Sequence, residues 1–287
     1  ADALAAAARA VGFEEVAFQY EPIAAAVAFE ATVQAETLVL VADIGGGTSD
    51  FSLLRAGPMR RGQADREGDI LANHGVHVAG TDFDRRVELA AILPLLGFGT
   101  LGPARQGAAP REVPSGLYHD LATWHLINTC YAPSRLAEWR AMRGWFADPA
   151  LHTRLMRVLE HRLGHALAAA AEQAKIDVAL EGLAQIDLRE VERGLRAVLD
   201  TPAAAAALED DLARIVSTAT DTVRMAGVAA TDVQALFCTG GSTGLAALVD
   251  RLAAAFPNAQ VVHGDRFASV VQGLGLEARR RFGASTC

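Results

Sequence analysis

The amino-acid sequence predicts an α/β fold, on three observations. Residues 38–54 form two apolar runs around a glycine turn, and short runs rich in Val, Leu and Ile bounded by glycine are typical of strands. Residues 235–238 form a further apolar run that leads through a pair of glycines into a helix predicted at 245–256. Helical patterns fill much of the sequence between these runs. Together they predict a sheet with helices packed on it.

Composition limits the kind of protein. The chain has 287 residues, 51% of them hydrophobic, enough for one large domain or two smaller ones. A net charge of −8 argues against a nucleic-acid partner, which needs a basic face. No apolar run reaches the length of a membrane span, and no basic segment precedes the first helix, so neither a membrane anchor nor a signal peptide is predicted. The first residues read as the interior of a longer chain.

Cysteine and lysine usage add two expectations. The cysteines, Cys130, Cys238 and Cys287, are odd in number and far apart, so neither a disulfide framework nor a zinc site is predicted. A reducing, cytoplasmic location is expected. Lys175 is the only lysine among 26 basic residues, which draws attention to its position.

The glycine turn carries the main chemical prediction. Asp43 ends the first strand, and the turn Gly45-Gly46-Gly47-Thr48 follows, with Asp50 opening the second strand. Glycine N–H groups can close around an anion at little steric cost. Because an acid beside a phosphate is repulsive without a cation between them, Asp43 predicts Mg²⁺ held partly through water. The alternative is a plain glycine turn in a sheet.

The first eighty residues outside the hairpin are predicted as follows. A helix covers 2–10, a short strand 16–19, and a helix of small residues begins at Pro22, with Glu21 just before its first turn. An N-terminal acid at a helix is also favoured by the helix dipole alone, so a catalytic role for Glu21 stays open at this point. A third strand is predicted near residues 69–71.

A further helix is predicted to begin after Gly80, capped by Thr81 or Asp82, and to run to about residue 93. Its first N–H groups are a second possible phosphate contact.

The remainder is predicted mostly helical. Residues 94–118 read as a long surface loop, and residues 119–150, with all three tryptophans, as a local core. A long helix is predicted over 151–180, a strand at 185–188, and helix over 190–226 with a break near 201. Within the helix predicted over 151–180, Glu172 and Lys175 share one face, and the simple interpretation is an exposed ion pair.

Five motifs in order resemble the ATPase domain of DnaK-type heat-shock chaperones, in the actin-like ATPase superfamily. They are Tyr20-Glu21-Pro22, the hairpin from Asp43 to Asp50, Gly80-Thr81-Asp82-Phe83-Asp84, Glu172-Gln173-Ala174-Lys175, and Thr239-Gly240-Gly241-Ser242-Thr243. The tryptophan-bearing insertion and a chain that ends just after its last helix look most like the YegD branch, which lacks the peptide-binding domain.

The resemblance implies an actin-like ATPase fold, with a ribonuclease H-like sheet flanked by helices. The chain would be its second lobe with a mostly helical inserted subdomain. Residues 1–36 would be the end of the first lobe and a crossing helix. The second-lobe core would be 37–78 plus 208–275, the insertion 79–207, and the end of the last helix 276–287.

The resemblance also implies roles and cofactors. The cofactors are ATP or ADP and Mg²⁺, and Glu21 and Asp43 would be catalytic, with Asp43 and Asp50 near the metal. The phosphates would be held by Gly45, Gly46, Gly47, Thr48 and Gly80. The nucleoside would be held by Glu172, Lys175, Gly240, Gly241 and Ser242.

The sequence departs from the family at the base-binding positions. Ile176, Ala179 and Gly244 stand where the family has an arginine, a serine and an arginine that contact adenine. Thr81 stands where the family has a glutamate. Asp265 corresponds to the family's acid near the second connecting segment but lies two residues from the expected position. Weaker or less selective base recognition is therefore expected.

Three functions remain open from the sequence. One is an ATP-binding, ATP-hydrolysing chaperone-like protein, with unfolded proteins or co-chaperones as candidate partners; another is a degenerate module that binds nucleotide or a partner without turnover; the third is an actin-fold small-molecule kinase. The family's first phosphate hairpin and its lysine would precede residue 1. This segment is therefore expected to fold but not to hydrolyse ATP alone. The exposed edge of the strand at 16–19 and the apolar face of the closing helix are expected to pair with a second copy or to rearrange the N-terminus.

Overall fold

The computed structural model describes residues 2–61, 63, 66–104, 109–265 and 268–283. The strands in this part of the chain are β1 Thr37–Ile44, β2 Ser49–Ala56, β3 Ile70–Val76, β4 Leu183–Asp187, β5 Arg196–Asp200, β6 Ala235–Thr239 and β7 Gln260–His263. The α-helices are α1 Asp2–Ala10, α2 Glu21–Glu30, α3 Gly80–Val87, α4 Gly116–Leu121, α5 Pro133–Ala141, α6 Pro149–Glu160, α7 Gly164–Glu181, α8 Thr201–Met225, α9 Ala246–Ala255 and α10 Ser269–Phe282.

The chain packs as two compact units. Unit 1 consists of the described residues within Ala1–His77, Ile215–Thr243 and Leu248–Cys287, and unit 2 of those within Val78–Arg214 and Gly244–Ala247.

Unit 1 is built on a five-stranded mixed sheet in the order β3-β2-β1-β6-β7. The β1–β2 and β2–β3 pairs are antiparallel, whereas β1–β6 and β6–β7 are parallel. The predicted hairpin and the predicted strand at 235–238 are confirmed. The third strand is longer than the predicted 69–71. A mixed sheet flanked by helices is consistent with an actin-like ATPase fold.

Helix α2 packs on one face of this sheet. Ile23, Ala25 and Ala26 contact Val39 and Val41 of β1, together with apolar residues of β2 and β6. Its small residues also allow a close approach to α10, since a Cβ at Gly273 of that helix would overlap the Ala24 carbonyl.

A buried ion network fixes the C-terminal end of α2. Arg66 donates to both carboxylate oxygens of Glu30, at 2.9 and 3.1 Å, and also pairs with Asp69. All three side chains are buried, and Glu30 also accepts the Gly57 N–H at 3.0 Å. The network ties α2 to the chain on either side of the β2–β3 connection.

Unit 2 is mostly helical, with a two-stranded antiparallel sheet of β4 and β5. Its core includes Leu93, Leu96, Tyr118 and Leu155, and the Tyr118 hydroxyl donates to the Leu96 carbonyl at 2.9 Å. Trp139 is buried there, whereas Trp124 is exposed. The predicted local core is therefore confirmed for Trp139 and wrong for Trp124.

The predicted strand at 16–19 is wrong. These residues are irregular, and Phe18 beside the similarly exposed Phe13 has no sheet partner in the described chain. An isolated apolar run cannot make a strand without a neighbour to satisfy its backbone. The predicted pairing of this edge with a second copy therefore loses its structural basis.

The single helix predicted over 151–180 is two helices. The chain turns between α6 and α7, where Arg162 has a left-handed φ of +56°. Gly164 then packs against Ile127 and donates its N–H to the Tyr131 hydroxyl at 2.9 Å. These contacts come from a distant segment, so local helix propensity does not report the break.

Two further predictions are corrected. Residues 196–200 form β5 and not helix, because they pair with β4 to cover the core of unit 2. Residues 94–118 are not wholly a surface loop, since Leu96, Val113 and Leu117 are buried, and residues 105–108 lie outside the described chain.

Helix α3 also begins and ends differently from the prediction. Its N-cap is Ala79, and Asp82 caps it from within the first turn by accepting the Ala79 N–H at 3.0 Å. After Val87 the chain continues as a π-helical turn, Glu88–Ile92, and a 3₁₀ turn, Leu93–Leu96.

Two observations bear on location and redox state. No helix among the described residues is long and apolar enough to cross a membrane. Cys130 and Cys238 are buried free thiols, and Cys287 lies outside the described residues.

We expect Arg66→Met to lower the free energy of unfolding by about 3–5 kcal/mol, because it leaves the buried Glu30 carboxylate without its cation and leaves Asp69 with Arg60 alone. Chemical denaturation measures this. The matched control is Arg224→Met, which removes an equally spaced (i, i+3) partner from Asp221 on an exposed helix face. The control should change stability by less than about 0.5 kcal/mol. Equal losses in the two variants would contradict the importance of the network.

Candidate functional site

Asp43 stands at the carboxyl end of β1, on the face of the sheet that α2 covers. Alternate residues of a strand share a face, and Val39, Val41 and Asp43 follow this rule. The two apolar members pack against α2, so Asp43 lies on the same side as the first turn of that helix. In open sheets, ligands bind at the carboxyl ends of parallel strands, where Asp43 lies.

Two more acids act on Asp43. Asp50 is its direct partner across the hairpin, and Glu21 opens α2. The pKa of Asp43 is raised above its usual value, first by burial and then by the charges of Glu21 and Asp50. Like charges placed opposite one another are unfavourable. The structure therefore brings these three predicted residues into one acidic cluster.

The glycine turn joins β1 to β2 at this cluster. The Gly45 N–H donates to the Thr48 carbonyl at 3.0 Å and closes the turn. This N–H is therefore used within the hairpin, and the role of Gly45 in holding phosphate stays a prediction. Gly46 and Gly47 form the exposed tip.

The second glycine turn meets the first at the neighbouring strand. β6 runs parallel to β1, and Thr239 is the register partner of Asp43. Gly240 follows with a left-handed φ of +87°, and a Cβ there would overlap the Ile44 carbonyl and contact the Asp43 carboxylate. The Ser242 hydroxyl donates to the Gly45 carbonyl at 2.7 Å. The structure thus brings together Asp43, the hairpin, Gly240 and Ser242, which the sequence placed in two separate motifs.

The acidic cluster fits a hydrated Mg²⁺. No group of three His, Cys, Asp or Glu residues in the described chain is arranged to ligate a metal by itself. Mg²⁺ usually keeps several waters and takes one or two carboxylates plus substrate phosphates. The raised pKa of Asp43 beside two like charges is the electrostatic environment that a cation would relieve.

The remaining predicted residues lie in unit 2. Gly80 is buried at the start of α3, and Glu172 and Lys175 lie on α7. Lys175 Nζ pairs with Asp84 of α3 at 2.6 Å, so its ionic partner is not the glutamate on its own helix. Burial raises the pKa of Asp84, Lys175 opposes this, and the charge of Glu172 adds to it. Asp84 therefore joins the predicted pair.

Two of the positions that depart from the family, Ile176 and Ala179, lie on the open side of α7. Ile176 is 40% exposed, and Ala179 is exposed as well. At these places the helix therefore presents small or apolar groups to its surroundings.

Sequence reasoning missed three residues near the predicted ones. Asp84 ends one of the five motifs and Thr239 begins another, but the motifs alone gave neither residue a role. Gly75 lies inside β3, where a Cβ would collide with the Asp50 carboxylate. A glycine inside a strand is a signal of close approach, and this one was available in the sequence.

A surface cavity of about 270 Å³ lies elsewhere in unit 2, between α7 and the segment after β4. Its lining includes Leu163, Leu167 and Val191 and none of the predicted site residues. The candidate site is therefore the acidic cluster with its glycine turns, and not this cavity.

Glu88 is a buried acid in the π-helical turn after α3. It is 1% exposed, and its Oε1 makes no hydrogen bond within the described chain. Burial raises the pKa of Glu88 to about 8, with a further contribution from the charge of Asp84. π-helical turns are rare and frequently found at functional sites.

Comparison with known proteins gives a partial match. Residues 2–91 match the family described as Hsp70 protein. The chain is 38% identical over 82 residues to heat shock 70 kDa protein 6, chloroplastic, of Arabidopsis thaliana, covering 28% of this chain and 10% of that protein. The corresponding identity to heat shock 70 kDa protein 7, chloroplastic, of the same plant is 37% over 82 residues, with the same coverage.

These matches support the Hsp70 and actin-like ATPase family for the first third of the chain. They include the positions of Glu21, the glycine hairpin and Gly80, and exclude those of Lys175 and Ser242. The matched segment spans about a tenth of the relatives' length.

We expect stability to fall as pH rises through Glu88's titration range. The folded chain holds this proton up to about pH 8, whereas the unfolded chain loses it near pH 4.5, so the native state binds more protons between these values. Glu88→Gln should remove this part of the pH dependence, measured by denaturant unfolding from pH 5 to 9. Glu181→Gln, which changes an exposed acid of the same unit, is the control. An identical pH dependence in wild type and Glu88→Gln would contradict the raised pKa.

Proposed function

We propose that the protein is a nucleotide-binding member of the Hsp70 family, of the YegD-like branch, and that the full-length protein hydrolyses ATP. The observation that carries this proposal is the acidic cluster of Asp43, Asp50 and Glu21 beside two glycine turns at the carboxyl edge of a parallel strand pair. The partial family match supports it over the same residues.

Asp43 and Asp50 would hold Mg²⁺ through its waters. The ion, when bound, neutralises charge that develops on the transferred phosphoryl group. The glycine tip at Gly46 and Gly47, with Thr48, would place backbone N–H groups on the phosphates. Phosphoryl transfer of this kind depends on positioning and charge and requires no covalent step.

Glu21 would orient or activate the attacking water. It opens α2 and is exposed, while its charge reaches Asp43. A carboxylate at this place can accept a hydrogen bond from a water on the phosphate side of the cluster.

The nucleoside-binding residues are proposed on the resemblance, unit by unit. In unit 1 these are Gly240 and Gly241, beside the hairpin. In unit 2 these are Lys175 and Glu172. Lys175 pairs with Asp84, and the charge of Glu172 contributes to the raised pKa of the same acid. Gly80 at the start of α3 is proposed as the second phosphate contact.

Partners and location are proposed at family level. Unfolded proteins and co-chaperones are the expected partner classes, and nucleic acid and membranes are not. A cytoplasmic location is part of the proposal, in keeping with the buried free thiols of Cys130 and Cys238. A dimer remains a prediction, now resting on the exposed apolar residues of α10, Val271, Leu274 and Leu276.

A second candidate function is a binding module of the same fold without turnover. The exposed Ile176 favours it, because this position carries a base-stacking arginine in the family that the chain resembles. Comparing nucleotide affinity with the ATP hydrolysis rate of the full-length protein separates the two.

We expect Asp43→Asn to weaken Mg²⁺-dependent ATP binding by about 10- to 100-fold, because the variant loses the charge that holds the ion's waters. The same change should raise the stability of the unliganded protein at pH 7. The raised pKa means that the ionised carboxylate is less favourable in the folded than in the unfolded chain.

Titration calorimetry with and without Mg²⁺, and thermal unfolding, measure these two effects. Asp250→Asn, on an exposed part of α9, is the control and should alter neither. Equal Mg²⁺-dependent affinities in Asp43→Asn and wild type would remove Asp43 from the site.

We expect ATP and GTP to bind with affinities within about tenfold of each other, since Ile176, Ala179 and Gly244 provide no stacking or hydrogen bonds to adenine. Ile176→Arg should increase the preference for ATP. Val198→Arg, which replaces an exposed apolar residue on β5, is the control. Competition binding tests both, and a strong ATP preference in the wild type would show that other residues recognise the base.

A further inference from the structure

We propose that Ser242 is a positioning residue for the phosphate-binding hairpin, which it holds through the Gly45 carbonyl. This inference deepens the proposed function and rests on it. It assigns the Ser242 side chain to the phosphate half of the site, and not to the nucleoside half that the resemblance implies.

The first observation is the hydrogen bond itself. Ser242 Oγ lies 2.7 Å from the Gly45 carbonyl oxygen, across 197 residues of sequence, at a partly buried position. A hydroxyl has one proton, and this geometry commits it to the backbone of the hairpin.

The second observation is the rigidity of the base on which Ser242 stands. Gly240 lies so close to Ile44 that a Cβ at residue 240 would overlap the Ile44 carbonyl. The Thr243 hydroxyl also donates to the Gly240 carbonyl at 2.7 Å, which closes the turn on itself. Ser242 is thus presented to the hairpin from a turn whose own position is fixed by β6.

The third observation concerns what the bond controls. The Gly45 N–H is already fixed on Thr48, and the Ser242 bond fixes the Gly45 carbonyl. The carbonyl of Gly45 and the N–H of Gly46 belong to one planar trans peptide and point in opposite directions. Holding the carbonyl therefore sets the direction of the Gly46 N–H.

Consecutive glycines make this restraint necessary. Gly45, Gly46 and Gly47 have no Cβ to limit their backbone angles, so their peptide planes reorient easily. Without the Ser242 bond, the Gly45–Gly46 peptide would lose one of the contacts that fix its orientation, and binding phosphate would cost more entropy. The expected effect is on phosphate affinity, regardless of the base.

The experiment compares two ligands and two variants. Titration calorimetry with Mg²⁺–tripolyphosphate and with Mg²⁺–ATP is carried out on wild type, Ser242→Ala and Ser242→Thr. We expect Ser242→Ala to weaken both ligands equally, by about 3- to 10-fold, the effect of one lost hydrogen bond. Ser242→Thr keeps a hydroxyl and should restore most of the affinity.

The matched control is Ser52→Ala. Ser52 lies on β2 of the same hairpin, and its hydroxyl accepts from Asn73 at 2.7 Å, away from the turn. This variant should bind both ligands as wild type does. A loss for ATP with none for tripolyphosphate would place Ser242 on the nucleoside and overturn the proposal, as would unchanged binding of both ligands in Ser242→Ala.

A readout that needs no ligand separates this inference from the proposed function. Amide hydrogen exchange at residues 46–48 should be faster in Ser242→Ala than in wild type or Ser52→Ala. If wild type bound neither ligand, the proposed function would fail while the exchange data still decided the positioning role. Unchanged exchange in Ser242→Ala would refute that role.

Discussion

The close approach of β6 to the end of β1 is the constraint on which the rest of unit 1 depends. Only a residue without a Cβ can stand at position 240, because its neighbour is the Ile44 carbonyl. That proximity lets two turns, far apart in sequence, lie side by side. It also places Thr239 level with Asp43. A larger residue at 240 would separate the strands at the one edge where the acids and the glycine hairpin meet.

The acids of unit 1 lie in two opposite electrostatic environments. Glu30 and Asp69 are buried and both pair with Arg66, with Arg60 as a second partner of Asp69, so their charge contributes to the packing of α2. The pKa of Asp43 is instead raised by burial and by two neighbouring acids. The first arrangement is what a folded protein needs for its own stability. The second is unfavourable without a ligand, and electrostatic strain of this kind is common at functional sites.

The sequence was most informative where local signals and tertiary packing agree. The strands of the hairpin and β6 are apolar runs bounded by glycine, and Pro22 marks the first turn of α2. Prediction failed where a partner outside the segment decides the outcome. Residues 196–200 become a strand because they pair with β4, and residues 16–19 do not because no strand of the described chain pairs with them.

The same distinction applies to the candidate site. Motifs identified the residue types in each cluster, since glycine turns and their flanking acids are contiguous in sequence. They did not give the pairing of Lys175 with Asp84 or of Ser242 with Gly45, because those contacts join elements 91 and 197 residues apart. The contacts formed inside each unit had to come from the structure.

The Lys175–Asp84 pair has a consequence for the surface chemistry of the protein. Because every other basic side chain is arginine, the chain presents a single side-chain amine, and that amine is held by a carboxylate in a mostly buried setting. Reagents and enzymes that acylate lysine have one internal target, and reaching it requires the Asp84 contact to open. The rate of acylation at Lys175 is therefore a direct chemical measure of how tightly α3 and α7 are held together.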